Sequence, residues 1–408
     1  MAGTQLIPGT GGRVLLLSMR RMSQLVAYCI DYEFEDVIRE LTGADRIDVN
    51  DYGALEWSRR LYRYTRHLSG ARRRSGSFAG PHFEVRLTRD YELFFPVFNH
   101  PYELFALAAV PEWRRRCRVA ACFISEVWLR QFPHYLLEML APFDHVFLGV
   151  QHPTEELARL VGRPCTYLPL AVDVPRFAPY PVGPWRTIDV CNIGRRSQVT
   201  HEALLRIAAS DRRFFYYYDT VAASGVDLKQ RTFRVEDARE HRLLLASLLL
   251  RSRYCFAHRG FVNDPQLTRD RDEISSRVYE GSAAGVVMLG EPPRGEEFRR
   301  QFDWPEPLIP VPFDCAEIAR VLSELEADPQ RVARIRRDNI RNSALRHDWL
   351  HRLRAVFATL GLSCTAAMDA RATQLQAIAE GCEAESDSQS ERARGLPARD
   401  APHTSVAK

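Results

Sequence analysis

Between Arg13 and Val172 short apolar runs alternate with longer stretches whose hydrophobes recur at helical spacing, and after a proline-rich break the alternation begins again at Ile188. Such a chain is confined to α/β architectures, because each strand reaches a parallel neighbour only through a crossover helix. "RVLLLS" (13–18), "ELFFPVFN" (92–99), "RVAACFIS" (118–125), "HVFLGV" (145–150) and "CTYLPLAV" (165–172) read as strands. Helical patterns occupy 32–41, 52–68, 101–116, 130–141 and 153–161. Beyond the break come the strands "IDVCNIG" (188–194), "FFYYYD" (214–219), "YCFAHR" (254–259) and "VVMLGE" (286–291), with helices from about His201, through 237–251 and over 275–284.

The break, "DVPRFAPYPVGPW" (173–185), holds four prolines and a glycine, too dense for a regular element. It predicts a linker over 173–187 between an N-terminal domain, 13–172, and a C-terminal domain, 188–345. A length of 408 residues exceeds one ordinary core and fits that division. Ile318, Val321, Leu322 and Leu325 keep helical spacing, as do Trp349, Leu353, Val356, Phe357 and Leu360 within 346–362. Residues 1–12 read as a flexible leader, and the polar stretch from Ser363, with "EAESDSQSERARGLPARD", predicts disorder over 363–408. Two doubly wound sheets joined this way enclose a cleft between the carboxyl ends of their strands.

Nine cysteines stand singly, without a C-x-x-C pair or a zinc-spaced Cys/His cluster, so neither a disulfide framework nor a structural metal is expected. A reducing cytoplasm suits such a chain. No basic segment followed by an apolar core opens the sequence, and "LLLASLLL" (243–250) is too short to span a bilayer, which restricts membrane contact to the periphery of the inner face. The net charge is only +4 and no nucleic-acid motif appears, which argues against nucleic acid as a partner. Of 56 basic residues only Lys229 and Lys408 are lysine, so the abundance of arginine says little about any one site.

Chemistry-bearing residues gather where strands end. In "SSRVYEGSAAGVVMLGE" (275–291) Val278, Ala283 and Ala284 suit a core face and Gly285 a helix end. That leaves Arg277 and Glu280, one turn apart, as a surface ion pair or as ligand groups. In "GRRS" Gly194 lets the backbone approach a ligand, while Arg195 and Arg196 are either anion-binding or simply solvated. His258 and Arg259 close another strand. On the first domain's rim His100 in "FNHP", Glu126 in "ISEVW" and His152 in "GVQHP" are candidate general bases. His100 and His152 also precede prolines and suit plain helix starts. Asp270, Arg271 and Asp272 match a metal-binding D-x-D, but no apolar strand runs into them and no metal is expected. Residues 57–83 hold seven arginines and no acidic residue, and Trp57, Leu61, Tyr64 and Leu68 share a helical face. Over 57–74 this suits an anionic membrane surface or acidic acceptor, or a core-packed helix with a solvated face.

These segments resemble nucleotide-sugar glycosyltransferases of the GT-B fold, in particular the branch related to spore-coat-maturation glycosyltransferases. The resemblance is best over 143–360. "FDHVFLGVQHPTEELARL" and "YLPLAVDVPRFAP" look like the end of that family's N-domain, "IDVCNIGRRSQVTHEALLRI" like the first unit of its donor domain, and "SSRVYEGSAAGVVMLGE" like its nucleotide-sugar segment. Residues 1–142 fit in pattern only. The resemblance implies two Rossmann-like domains, with the helix within 346–362 crossing back to the first. It implies transfer of a sugar from a nucleotide-activated donor to a glycan, lipid-linked or protein acceptor, with no cofactor or metal beyond that donor. Glu280 would lie beside the donor's ribose, with Gly194, Arg195, Arg196, Arg277 and His258 around the rest. Retaining relatives carry a second glutamate eight positions earlier. Here Asp272 stands there, so that sugar contact is either shifted or lost. A non-catalytic sugar-nucleotide or partner-binding protein, and a nucleotide-sugar epimerase or hydrolase, remain alternative readings.

Overall fold

The apolar runs pair in parallel, as their crossover spacing requires. The computed structural model describes residues 4–50, 60, 85–127, 132–219, 235–260, 262 and 273–394, the side chains of 383–394 excepted. The expected helix over 52–68 with its basic 57–74 stretch, Arg60 apart, and the triplet Asp270, Arg271 and Asp272 lie outside these residues.

The first sheet contains β1 (Gln5–Ile7), β2 (Val14–Ser18), β3 (Asp45–Asp48), β4 (Tyr91–Phe94), β5 (Val97–Phe98), β6 (Cys117–Ile124), β7 (His145–Leu148) and β8 (Cys165–Tyr167). Its order is β1-β3-β2-β4-β6-β7-β8, with β5 also beside β6, and every pairing is parallel except β1 with β3. The second sheet, β9 (Ile188–Asn192), β10 (Tyr216–Tyr218), β11 (Ser252–Phe256), β12 (Val287–Gly290) and β13 (Ile309–Pro310), runs β10-β9-β11-β12-β13, all parallel. This is the two-sheet GT-B arrangement.

The helices are α1 (Cys29–Thr42), α2 (Trp113–Arg116), α3 (His134–Leu140), α4 (Thr154–Val161), α5 (Val174–Phe177), α6 (Gln198–Ser210), α7 (Ala238–Leu250), α8 (Ser276–Ala283), α9 (Glu296–Gln301), α10 (Ile318–Glu326), α11 (Pro329–Arg346), α12 (Trp349–Thr359) and α13 (Ala366–Arg394). One apolar cluster runs from α1 (Phe34) through the linker (Val174, Phe177) into α7 (Leu245), α8 (Tyr279) and α12 (Leu353). It is shared by both sheets. Trp349 of α12 stacks on Phe34 with centroids 4.4 Å apart, which seats α12 against the first domain.

Four expectations need correction. The leader is not loose: Gln5–Ile7 pairs with Asp48–Arg46, and the Gly9 amide donates to Asp45 Oδ1 at 2.7 Å. The linker contains a helical turn, α5, because Pro175 suits the start of a helix and Val174 and Phe177 are buried. The helix expected over 101–116 is a 3₁₀ run, Pro101–Ala109, followed by the short α2. Within the segment expected to be disordered, Ala366–Arg394 form α13, whose Met368, Leu375, Ile378 and Ala379 are buried one or two turns apart on one face, while 395–408 lie outside the described residues. Polar composition hid a sparse but regular stripe.

Leu375→Ala is therefore expected to destabilise the protein by about 2–5 kcal/mol, while Gln374→Ala, on the exposed face, stays within about 0.5 kcal/mol. Denaturant unfolding of the two variants checks this, and equal midpoints would detach α13 from the core.

Candidate functional site

Each sheet reverses its strand order beside its first long strand, between β2 and β4 in the first and between β9 and β11 in the second. Ligands of open α/β sheets occupy the crevice outside the carboxyl ends at such a point. Gly194, just past β9, has φ +90°, a conformation that side chains strain to adopt, and its amide donates to Asp219 Oδ2 at 2.8 Å. Arg196 donates to the Asp219 carbonyl at 2.8 Å and to Oδ1 at 2.7 Å, and lies over Tyr218. Arg196 thus braces the loop, whereas its neighbour Arg195 is exposed. The two arginines have separate work.

Past β11, His258 accepts a bond at Nδ1 from the Glu291 amide, 3.1 Å away, stacks on Phe256 and meets the edge of Phe313. Burial pushes its pKa down to about 4. The ring is therefore neutral near pH 7 with its proton on Nε2. Ser275 Oγ donates to the His258 carbonyl at 2.7 Å and pins the start of α8 to the end of β11. Arg259 lies 3.6 Å from Glu291.

Glu280 is no surface residue, being 2% exposed. Arg242 Nη1 of α7 donates to its Oε1, and Arg277 Nη1 stands 3.0 Å from Oε2. Burial opposes its ionisation, but Arg242 and Arg277 outweigh it and hold the carboxyl below its usual range. Arg277, in the first turn of α8, keeps 21% of its side chain exposed and carries its charge close to Cys191 of β9 and Cys255 of β11.

Residues 239–358, which include α8, β12 and most of α7, match the sequence profile of the family described as glycosyl transferase-like. This stretch is a glycosyltransferase domain. No curated protein sequence matches the chain. Among solved structures the chain is similar to a UDP-forming α,α-trehalose-phosphate synthase from Burkholderia vietnamiensis, with a TM-score of 0.49, 11% identity, and 86% of this chain and 99% of that one covered. It is also similar to HepE from Anabaena, solved with UDP and glucose, with a TM-score of 0.48, 11% identity and the same coverage. Similarity this remote carries nothing about donor or acceptor.

Facing the glycosyltransferase domain, the first domain's rim holds the three candidate bases in different settings. His152, past β7, points Nδ1 toward Glu273 Oε1 of the glycosyltransferase domain, 3.5 Å away. His100 accepts from the Tyr102 amide at 3.2 Å and caps the 3₁₀ run, the plain helix-start role. Glu126 follows β6, its amide bonded to the Asn99 carbonyl at 3.1 Å. His152 thus reaches the second domain.

Sequence reasoning missed the polar groups beneath this rim. Asp31 accepts from Ser125 Oγ at 2.7 Å, and Asn99 Nδ2 donates to Tyr32 Oη at 3.0 Å and to Glu103 at 3.1 Å. Burial pushes the Asp31 and Glu103 carboxyls up. A cavity of about 390 Å³ opens at the carboxyl ends of β2 and β3, lined by Arg20, Arg21, Arg46, Asp48, Glu236 and Asp237 among others. Glu35, beneath Arg20, accepts from Ser18 Oγ at 2.6 Å and from Arg20 Nη2 at 3.0 Å. Among the described residues no cluster of His, Cys, Asp and Glu has the makings of a metal site, and no helix is long and apolar enough to cross a membrane.

Burial outweighs Arg20 and lifts the Glu35 carboxyl from 4.5 to about 7. Between those values the folded chain keeps a proton that the unfolded chain has released, so this contribution is complete below about pH 4.5 and is lost as pH rises to about 7. Glu35→Gln is expected to flatten that decline in stability, measured by urea unfolding across the window. An unchanged slope would place the titration elsewhere.

Proposed function

We propose that the protein transfers a sugar from a nucleoside-diphosphate donor bound in the β9/β11 crevice to an acceptor presented by the first domain. What carries this reading is that the matched glycosyltransferase stretch contributes to a crevice whose rim groups suit a departing diphosphate. Exposed Arg195 supplies charge, neutral His258 supplies an Nε2–H donor, and the first turn of α8 supplies backbone amides and the positive end of its dipole. These groups meet the diphosphate charge without a metal ion. Glu280, with Arg277, is assigned to the donor's ribose, since an ionised carboxylate accepts well from vicinal hydroxyls.

His152 is the first-domain candidate best supported as a base or positioning group for the acceptor, because it reaches Glu273 across the cleft. The charged cavity at β2 and β3 suits a hydroxyl-rich acceptor head, as sugar hydroxyls use donors and acceptors alike. A glycan, a lipid-linked sugar or a glycosylated protein carries such a head. Nine free cysteines support a cytoplasmic place of work.

Thermal melts with UDP, GDP and dTDP are expected to show a rise with one of them, and Arg195→Ala to weaken that ligand by about 1–3 kcal/mol. Binding without donor turnover in the presence of acceptor extracts would favour the non-catalytic reading, and no binding at all would sink both. Transfer should also survive EDTA. Loss restored by manganese or magnesium would instead bring Asp270 and Asp272 in as ligands.

A further inference from the structure

Arg242 lies in mid-helix on α7, 2% exposed, with its guanidinium over the ring of Phe177 at 4.8 Å. Its Nη1 donates to Glu280, while Nε and Nη2 donate to Glu33 of α1 at 2.7 and 3.2 Å. One guanidinium thus spans two fully buried carboxylates, one from each domain. Glu33 is fixed in turn by the Asp173 amide at 2.8 Å, the Trp349 indole at 3.2 Å and Arg176 at 3.4 Å. A planar fork satisfies both partners at once, which an ammonium does poorly. Packing alone does not call for it, since apolar side chains often replace buried ion pairs at no cost in stability.

We propose that Arg242 is a positioning residue for the donor site: it fixes the Glu280 carboxylate in one place and charge state and registers that place against the first domain through Glu33. The proposal rests on the assignment of Glu280 to the donor. The charged or titratable groups around Glu280 are Arg242 and His241 of α7 and Arg277 of α8, with Glu33 beyond Arg242 and the thiols of Cys29 and Cys255 nearby. Without Arg242, its strongest partner, Glu280 keeps Arg277 and the weaker influence of His241 against its burial, and its carboxyl then titrates at higher pH.

The test uses the full chain and whichever of UDP, GDP and dTDP binds tightest, followed by calorimetry from about pH 5.5 to about pH 8.5. Each variant is read as a ratio to wild type at the same pH, which cancels titration of the nucleotide itself. Glu280→Gln is expected to weaken binding about tenfold at every pH. Arg242→Met should match that loss at the acid end and recover toward wild type at the alkaline end, whereas Arg242→Met with Glu280→Gln should be flat and no worse than Glu280→Gln alone. Arg371→Met, which breaks the neighbouring contacts to Asp173 and Asp348 without touching Glu280, should lower the melting temperature and leave the ratio near one. Should Arg242→Met fail to fold, Arg242→Lys is read the same way, with a smaller loss and the same acid-side trend. If Arg242 variants behave like Arg371→Met, the guanidinium is structural only and the proposal falls while the donor assignment stands. If Glu280→Gln binds like wild type, or none of the three nucleotides binds wild type, the donor assignment and the proposal fall together.

Discussion

Glu33 accepts from the linker amide of Asp173, from the indole of Trp349 and from Arg242, so α1, the linker, the returning helix and the second domain converge on one fully buried carboxylate. Burial pushes its pKa up, with Arg242 opposing. Around it Arg242 and Arg277 hold Glu280, while Arg176 and Arg371 hold Asp173 and Asp348. Desolvating such groups costs several kcal/mol per ion, and the loss of one partner strands another. The contribution of this chain of charges is direction. Hydrophobic contact is roughly proportional to area and indifferent to register, whereas a carboxylate that accepts from three elements fixes their relative positions.

That register matters because the two sheets are not separate bodies tethered by a loop. The apolar cluster that fills α1 continues through Val172, Val174 and Phe177 into Leu245, Leu249 and Tyr279, and then into Trp349 and Leu375. The backbone joins in, with Val172 donating to the His347 carbonyl at 3.0 Å and Trp349 donating back to Val172 at 3.2 Å. Free relative motion is the default for small polar interdomain contacts and not for a broad apolar one. The charges sit inside this shared interior, so sliding one domain on the other would break several buried bonds together.

Much of this was legible in the sequence because it rests on runs of Val, Leu, Ile and Phe. β2, β6, β7, β9, β11 and β12 fall where a fully buried parallel strand must, and the rim residues Gly194 and His258 lie where the period changes from strand to helix. β3 was missed because "DRID" looks like a loop. Its charges are met locally, Asp45 by Tyr91 Oη at 2.6 Å and Arg46 by Asp48 at 2.5 Å, and pairing lies on both of its edges. α13 was lost by judging its spaced hydrophobes together with the acidic run that follows them. Arg242 could not be found at all. In "RLLLASLLL" it reads as the polar face of an amphipathic helix, and its partner Glu33 is 209 positions away in the chain.

The two domains are held together most firmly around Glu33. There, buried ion pairs, a stacked tryptophan and a continuous apolar layer lock α1, α7, α8 and α12 together. Elsewhere the domains meet through scattered contacts: His152 Nδ1 lies 3.5 Å from Glu273 Oε1, Gln301 Nε2 donates to Tyr167 Oη at 3.4 Å, and the Val235 amide donates to the Gln24 carbonyl at 2.9 Å. The network that holds Glu280 is thus the one that joins the domains, and a change at Arg242 reaches both.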